Sequence, residues 1–326
     1  MKFTHLFPDR RLPLIATPEN GTAPTPEGLM AWINGSTSEL NARINEAGVV
    51  LFRGFAVADT ETFHRVAGTI QPNLQEYIGG DSPRNKLEDK VYTSTEYPAH
   101  LEVLLHNELS YTSGSPDRVF FCCLIAADTG GETHLADGRE VYKRMPEPLR
   151  TAFQDKGVCY LQHLRDEDGR PGPGKSWQDT YETHDRAEAE ARCTATGAEF
   201  EWTPLGLRTS TLRPAVRLHE ATGAMCWHTQ VDQWHRDMVS AKSAVPDAEQ
   251  VAATGTEGME TVGNHACYGD GTEIAADDLY TIRDVLADCE VAIPWQVGDV
   301  MMIDNVLAMH GRKPFTGQRC VVVAMG

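Results

Sequence analysis

Apolar residues fall into two periodicities along the chain. Short β-branched or aromatic runs occupy residues 48–55 (GVVLFRGF), 118–126 (RVFFCCLIA), 290–295 (EVAIPW), 300–303 (VMMI) and 320–324 (CVVVA), each bounded by glycine, proline or polar turns. Such runs predict buried strands. Helical spacing is rarer. Leu29, Ile33, Leu40 and Ile44 predict a helix from Thr25 to about Asn45, with Thr25 as its cap and Pro26 in the first helical position. Residues 59–70 read as a second helix, and residues 138–153 as a third with Val141, Met145 and Leu149 on one face.

Three polar stretches interrupt this pattern. Residues 71–99 carry Gly79-Gly80, Pro83 and Pro98; so long a connection inside a compact domain is usually functional, for example a lid. Residues 165–200 include a loop by composition (RDEDGRPGPGK) and a charged surface helix (DRAEAEAR). Residues 236–285 contain a polar stretch, 240–265, that reads as a further insertion. With no internal repeat or linker, the expectation is one domain spanning 1–326. Its fold class is mainly β with decorating helices, a β-sandwich or jelly roll.

Charge narrows the partners. A formal net charge of -18 would repel a phosphate backbone or an anionic membrane, so neither nucleic acid nor membrane is expected. Eight cysteines form no Cys-x-x-Cys pair, and Cys122-Cys123 lies in an apolar run, which favours buried thiols over disulfides or zinc. The first residues lack the apolar stretch of a signal peptide and no run reaches membrane-spanning length, so a cytoplasmic location is expected.

Three features carry chemistry. In His106-Asn107-Glu108 one residue separates two potential ligands, and positions i and i+2 of extended chain share a face. His310 follows an apolar strand, where a loop residue can close onto a pocket. Two imidazoles and one carboxylate leave open positions that suit iron(II), although spacing alone leaves zinc or a structural role open. Arg319, nine residues after His310 (319 − 310), enters the last strand; its guanidinium can grip a carboxylate by two parallel hydrogen bonds. Thr133, after Gly130-Gly131, can add a further hydrogen bond.

The strings VYTSTEYPAHLEVLLHNELSY (91–111), FFCCLIAADTGGETHLADGREVY (120–142) and GDVMMIDNVLAMHGRKPFTGQR (298–319), with GVVLFRGF, resemble the taurine dioxygenase (TauD/TfdA) superfamily. They look most like its syringomycin-type aspartyl hydroxylase and clavaminate synthase-like branch, found beside natural-product pathways. The resemblance runs in order over roughly 45–320 and is loose over 160–290. It implies a double-stranded β-helix, iron(II) on His106, Glu108 and His310, and 2-oxoglutarate held by Arg319 and Thr133. It also implies O2-dependent decarboxylation of 2-oxoglutarate to succinate, coupled to oxidation of a C–H bond. Many relatives have Asp where this chain has Glu108, and halogenating relatives have a small residue there; Glu108 therefore points to hydroxylation, with desaturation or cyclisation as alternatives.

For the substrate, the branch points to an amino acid or an amino-acid-derived metabolite, by analogy. The acidic charge favours a free small molecule over an aminoacyl group on an acyl or peptidyl carrier protein, since carriers are themselves usually acidic. Candidate substrate contacts are Thr95, Glu96, His228, Gln230 and Arg312. Each has a plainer reading: loop packing for Thr95 and Glu96, a shared helix face with His235 for His228, and a structural ion pair for Arg312. A cupin-like metal-binding protein or a zinc hydrolase would have no use for Arg319 and Thr133 together.

Overall fold

The computed structural model describes residues 1–326 except 20, 78–79, 81–83, 95–96, 170–174 and 239–262. Three of the sheets matter for the site. The largest has eight strands in the order Lys2–His5, Leu14–Thr17, Val49–Phe52, Val300–Asp304, Arg118–Ile125, Cys320–Met325, Val91–Thr93 and Lys86–Glu88. A four-stranded sheet runs Val291–Ile293, Thr133–Asp137, Ala308–Arg312, Val103–His106. A second four-stranded sheet runs Glu199–Thr203, Gly206–Arg213, Val158–Arg165, Asn264–Tyr268. The chain is thus mainly β with helices attached.

The unbroken apolar runs have a simple cause. The central strands of the large sheet are buried on both faces, so alternate side chains enter different cores. Val49, Leu51, Phe121, Cys123, Met301, Ile303, Val321 and Val323 share one core with Leu105, Leu135, Ile293 and Met309 of the first four-stranded sheet. Val50, Phe52, Phe120, Cys122, Val300, Met302 and Val322 face the other way, against Leu29, Ile33, Leu40, Ile44, Phe63 and Val66 of the helices. The result is three layers: helices, large sheet, small sheet.

Helix boundaries differ from expectation in two places. The segment from Thr25 forms two helices, Pro26–Gly35 and Thr37–Ala47, with Thr25 accepting from Gly28 N–H as the expected cap. Residues 138–153 likewise divide into Gly138–Arg144 and Glu147–Lys156. The cause there is Pro146, which drives Met145 out of helical backbone to ψ 128°. Thr60–Ile70 and Arg186–Ala195 form as expected, capped by Asp59 and Asp185. Within 236–285, the strand Asn264–Tyr268 and the helix Ala276–Cys289 replace much of the expected insertion, while most of 240–265 lies outside the described residues.

Candidate metal and co-substrate site

His106 and His310 come together because their strands are neighbours. They are paired residues in the antiparallel ladder, and their ring centroids lie 4.5 Å apart. His310 is therefore a strand residue of Ala308–Arg312, not a loop residue as its sequence context suggested. The edge of Phe121, from the large sheet, packs on its ring at 5.1 Å. Next to it, Gly311 admits a close approach: a Cβ there would collide with the His134 ring and the Val103 carbonyl.

Glu108 reaches the same face by another route. The strand stops at His106, and Glu108 lies in the turn beyond it, so alternation along a strand does not place it. Asn305 does. Its Oδ1 accepts from the Glu108 N–H at 2.7 Å, and its Nδ2 donates to the Glu108 and Pro116 carbonyls, each at 2.9 Å. Asn107 turns away, as expected of a structural residue, and donates to the Asn305 and Ala308 carbonyls. Leu109 then leaves in left-handed backbone at φ 51°, a conformation that costs about 1–2 kcal/mol in a non-glycine residue.

The outcome is a compact donor set. One ligand atom from each of His106, Glu108 and His310 lies within 4.8 Å of the others, and Glu108 Oε2 is 3.6 Å from His310 Nε2. The Leu104 carbonyl, 2.8 Å from His106 Nδ1, favours the proton on Nδ1 and leaves the Nε2 lone pair for an ion. Burial, and next the neighbouring His310, push the His106 pKa down to about 3, so the imidazole is neutral at ordinary pH.

Arg84 is the component that the sequence reading missed. Its Nη2 is 2.7 Å from Glu108 Oε2, both side chains are almost fully buried, and its guanidinium stacks on Tyr77 at 4.3 Å. Burial opposes a charge on Glu108, but Arg84, helped by His310 and His106, holds its carboxyl below the usual range. Among the described residues Arg84 Nε and Nη1 are buried without hydrogen bonds.

One pocket joins His106 and His310 to Arg319 and Thr133; it is lined also by Arg84, Phe121, Arg312 and Val321. Arg319 Nε donates to the Gly131 carbonyl at 3.0 Å, and Nη1 contacts Ser94 Oγ at 3.3 Å. Gly131, at φ +72°, lets the arginine lie close, since a Cβ would press on its side chain at 3.1 Å. Among the described residues no carboxylate pairs with Arg319. Burial and the nearby Arg312 push its pKa down to about 10. Thr133 Oγ1 accepts from Trp295 Nε1 at 3.0 Å, leaving the hydroxyl proton for another partner.

The family model for taurine catabolism dioxygenase TauD, TfdA family, matches residues 25–325. The chain belongs to the TauD/TfdA family. It is an iron(II)- and 2-oxoglutarate-dependent dioxygenase that uses O2. It is 35% identical over 283 residues to the dapdiamide synthesis protein DdaC of Enterobacter agglomerans, covering 86% of this chain and 83% of that protein. To a clavaminate synthase-like protein of Arabidopsis thaliana it is 29% identical over 330 residues, 98% of this chain and 94% of that one. Among solved structures, PvcB of Pseudomonas aeruginosa shares the fold at a TM-score of 0.55 with 15% identity, covering 99% of this chain and 90% of that one.

The donor set of this dioxygenase fits its metal. Two imidazoles and a carboxylate at such separations would suit an iron(II) ion, and both imidazoles line the pocket that holds Arg319.

Two of the other expected contacts, His228 and Gln230, lie outside the lining of this pocket. His228 is buried outside the lining of this pocket with Nε2 unbonded, and it precedes the helix Val231–Trp234 while His235 follows it, so the two share no helix face. Gln230 supports the site from behind: its Nε2 donates to the Asn107 carbonyl at 2.7 Å and to Ser110 Oγ at 3.0 Å. Arg312 lines the pocket, yet its Nη atoms donate to the Tyr97, Pro98 and Leu101 carbonyls, gathering the chain that leads to the His106 strand. Thr95 and Glu96 lie outside the described residues. Trp227 is core, packed on Phe153 at 5.2 Å.

Asn305 supplies a first test. Asn305→Ala removes two bonds to the Glu108 backbone, and with them those to Ser115 Oγ and the Pro116 carbonyl, together worth about 3 kcal/mol. The expected result is a loss of about 3 kcal/mol in stability and a roughly 10- to 100-fold weaker divalent-metal affinity. Thermal denaturation and metal titration measure the two; an unchanged metal affinity would show that Glu108 is positioned without it.

Proposed function

We propose that His106, Glu108 and His310 hold iron(II), that Arg319 and Thr133 hold 2-oxoglutarate, and that the protein hydroxylates an unactivated C–H bond of a small amino acid or amino-acid-derived metabolite in a biosynthetic pathway. The observation that carries this reading is Arg319: a guanidinium without a carboxylate partner among the described residues, in one pocket with the two histidines of the two-histidine, one-carboxylate group. An anionic co-substrate supplies that missing partner. We read the large sheet and the smaller sheet facing it as a double-stranded β-helix.

Bound iron supplies O2 activation coupled to decarboxylation of 2-oxoglutarate. The protein's own work is placement. Arg319 fixes the distal carboxylate by its fork while the Thr133 hydroxyl, held by Trp295, donates its proton toward the same co-substrate. Phe121, Val103 and Val321 form apolar walls that limit water near the reacting centre. Glu108 occupies the position that a small residue would leave open for a halide, which supports hydroxylation.

Charge supports a carboxylate-bearing substrate. Arg84, Arg312 and Arg319 all line the pocket of a chain whose net charge is -18. With iron on Glu108, Arg84 would share or give up that carboxylate, its one ion-pair partner among the described residues, and its guanidinium would be available to a substrate carboxylate. The biosynthetic setting rests on similarity to a dapdiamide synthesis protein and, in fold alone, to an oxygenase from an isonitrile synthetic pathway.

A screen of free amino acids and simple derivatives, with Fe(II), 2-oxoglutarate and O2, tests the reading. Succinate release above the substrate-free rate, together with a product heavier by one oxygen, is expected for at least one carboxylate-bearing compound. A product lighter by two hydrogens would move the outcome to desaturation or ring closure, and stimulation only by carrier-bound substrates would replace the free metabolite.

A further inference from the structure

A second group of potential ligands has no part in this chemistry. His235 and His265 stand ring to ring with centroids 4.8 Å apart, at 1% and 5% exposure. Each Nε2 is buried without a hydrogen bond among the described residues. Both face the same atom: Glu273 Oε2 lies 3.5 Å from His235 Nε2 and 3.3 Å from His265 Nε2. The other oxygen, Oε1, accepts from Arg236 Nη2 at 2.8 Å, which orients the carboxylate with one oxygen turned to the imidazoles.

These separations are informative. Two ligands on a tetrahedral zinc, bound at about 2.0–2.1 Å, stand roughly 3.4 Å apart. Long, non-hydrogen-bonded contacts of 3.3 and 3.5 Å, converging from buried nitrogens on one oxygen, match an ion's coordination sphere better than a pair of hydrogen bonds. We propose that His235, His265 and Glu273 form a second metal site, for a divalent transition ion of zinc(II) type with water as its fourth ligand.

The ring nitrogens on the far side accept in the metal-free state. Backbone N–H groups of Asp237 and Arg236 lie 3.4 Å from Nδ1 of His235 and His265, at the long limit of hydrogen bonding. With the ion on Nε2 each Nδ1 would carry the proton, so these two long contacts from N–H donors would open on metal binding; for His235 the Asp237 carboxylate, 3.9 Å away, would have to move closer to accept it.

The site has a consequence for the first one. It ties the end of the helix Val231–Trp234 to the strand Asn264–Tyr268, closing a span of 30 residues (265 − 235). On the same helical segment, Gln230 holds the Asn107 carbonyl and Gln233 Nε2 donates to the Leu105 carbonyl at 2.8 Å. A metal here would brace the backbone on both sides of His106.

Cobalt(II) titration of the chelator-stripped, full-length protein tests the proposal, with bound metal counted by mass spectrometry and geometry read from visible absorption. Wild type is expected to bind two equivalents, one giving the intense bands of four-coordinate cobalt. Glu273→Gln, at an exposed position, should weaken that equivalent at least tenfold and remove its bands, while His310→Ala should leave them and lose the other equivalent. Because Glu273→Gln could retain weak binding, His235→Ala with His265→Ala serves as the second variant. Four-coordinate bands that persist in that double variant, or a single equivalent abolished by His310→Ala, would overturn the proposal. The two arms report the two sites separately.

Discussion

His310→Ala is expected to abolish iron-dependent turnover of 2-oxoglutarate while the protein stays folded. His310 Nδ1 has no hydrogen bond, so its removal leaves no donor or acceptor stranded on that side. What goes is one of three ligand atoms grouped within 4.8 Å. Loss of an outer partner of a metal ligand already weakens binding roughly 10- to 100-fold, and loss of the ligand itself should exceed that. The remaining His106 and Glu108 would face Arg84, whose fixed charge sits 2.7 Å from Glu108 Oε2 and opposes an incoming cation. Metal content after dialysis, succinate release and the circular dichroism spectrum decide the matter: a folded variant that retains iron and activity would remove His310 from the site.

Arg319→Ala has the second largest expected effect, and a different signature. Its guanidinium is already positioned by Gly131 and Ser94 and stacked near Phe315 at 5.7 Å, so little reorganisation accompanies binding of a carboxylate. Truncating one partner of a buried charge pair costs on the order of 3 kcal/mol, or roughly 100-fold in affinity. The apparent affinity for 2-oxoglutarate should fall by about that factor with iron affinity nearly unchanged. Arg319→Lys should recover only part, because an ammonium lacks the two-pronged geometry. Equal losses of iron and 2-oxoglutarate binding would mean instead that Arg319 merely supports the fold.

Much of the candidate site was legible along the chain. His106, Glu108, Thr133, His310 and Arg319 stand in short ordered motifs, and the apolar runs marked the strands that carry them. The turn at Glu108 was not legible. Its position depends on Asn305, almost two hundred residues away, and no local pattern links the two. Arg84 was invisible for a similar reason: it lies in a polar connection, and only the tertiary fold brings its guanidinium onto a ligand. The extended spacing of His106 and Glu108 suggested two side chains that do come together, but through a strand that ends two residues before Glu108.

Helix lengths failed for a more local reason. Apolar spacing continues through Met145, but Pro146 excludes helical backbone at the residue before it. His228 and His235 likewise fit one helical face by spacing, whereas the helix between them has only four residues. Periodicity reports which side chains are buried; it does not report whether one element or two bury them.

The central claim is that one pocket holds iron and 2-oxoglutarate together on His106, Glu108, His310 and Arg319. The most direct measurement is an anaerobic titration of Fe(II)-loaded protein with 2-oxoglutarate, following the visible charge-transfer absorption of an oxoacid chelated to ferrous iron. The account predicts saturation at one equivalent in wild type, no band in His310→Ala, and a midpoint shifted roughly 100-fold upward in Arg319→Ala. A wild type without the band, or an Arg319→Ala variant with the wild-type midpoint, would contradict it.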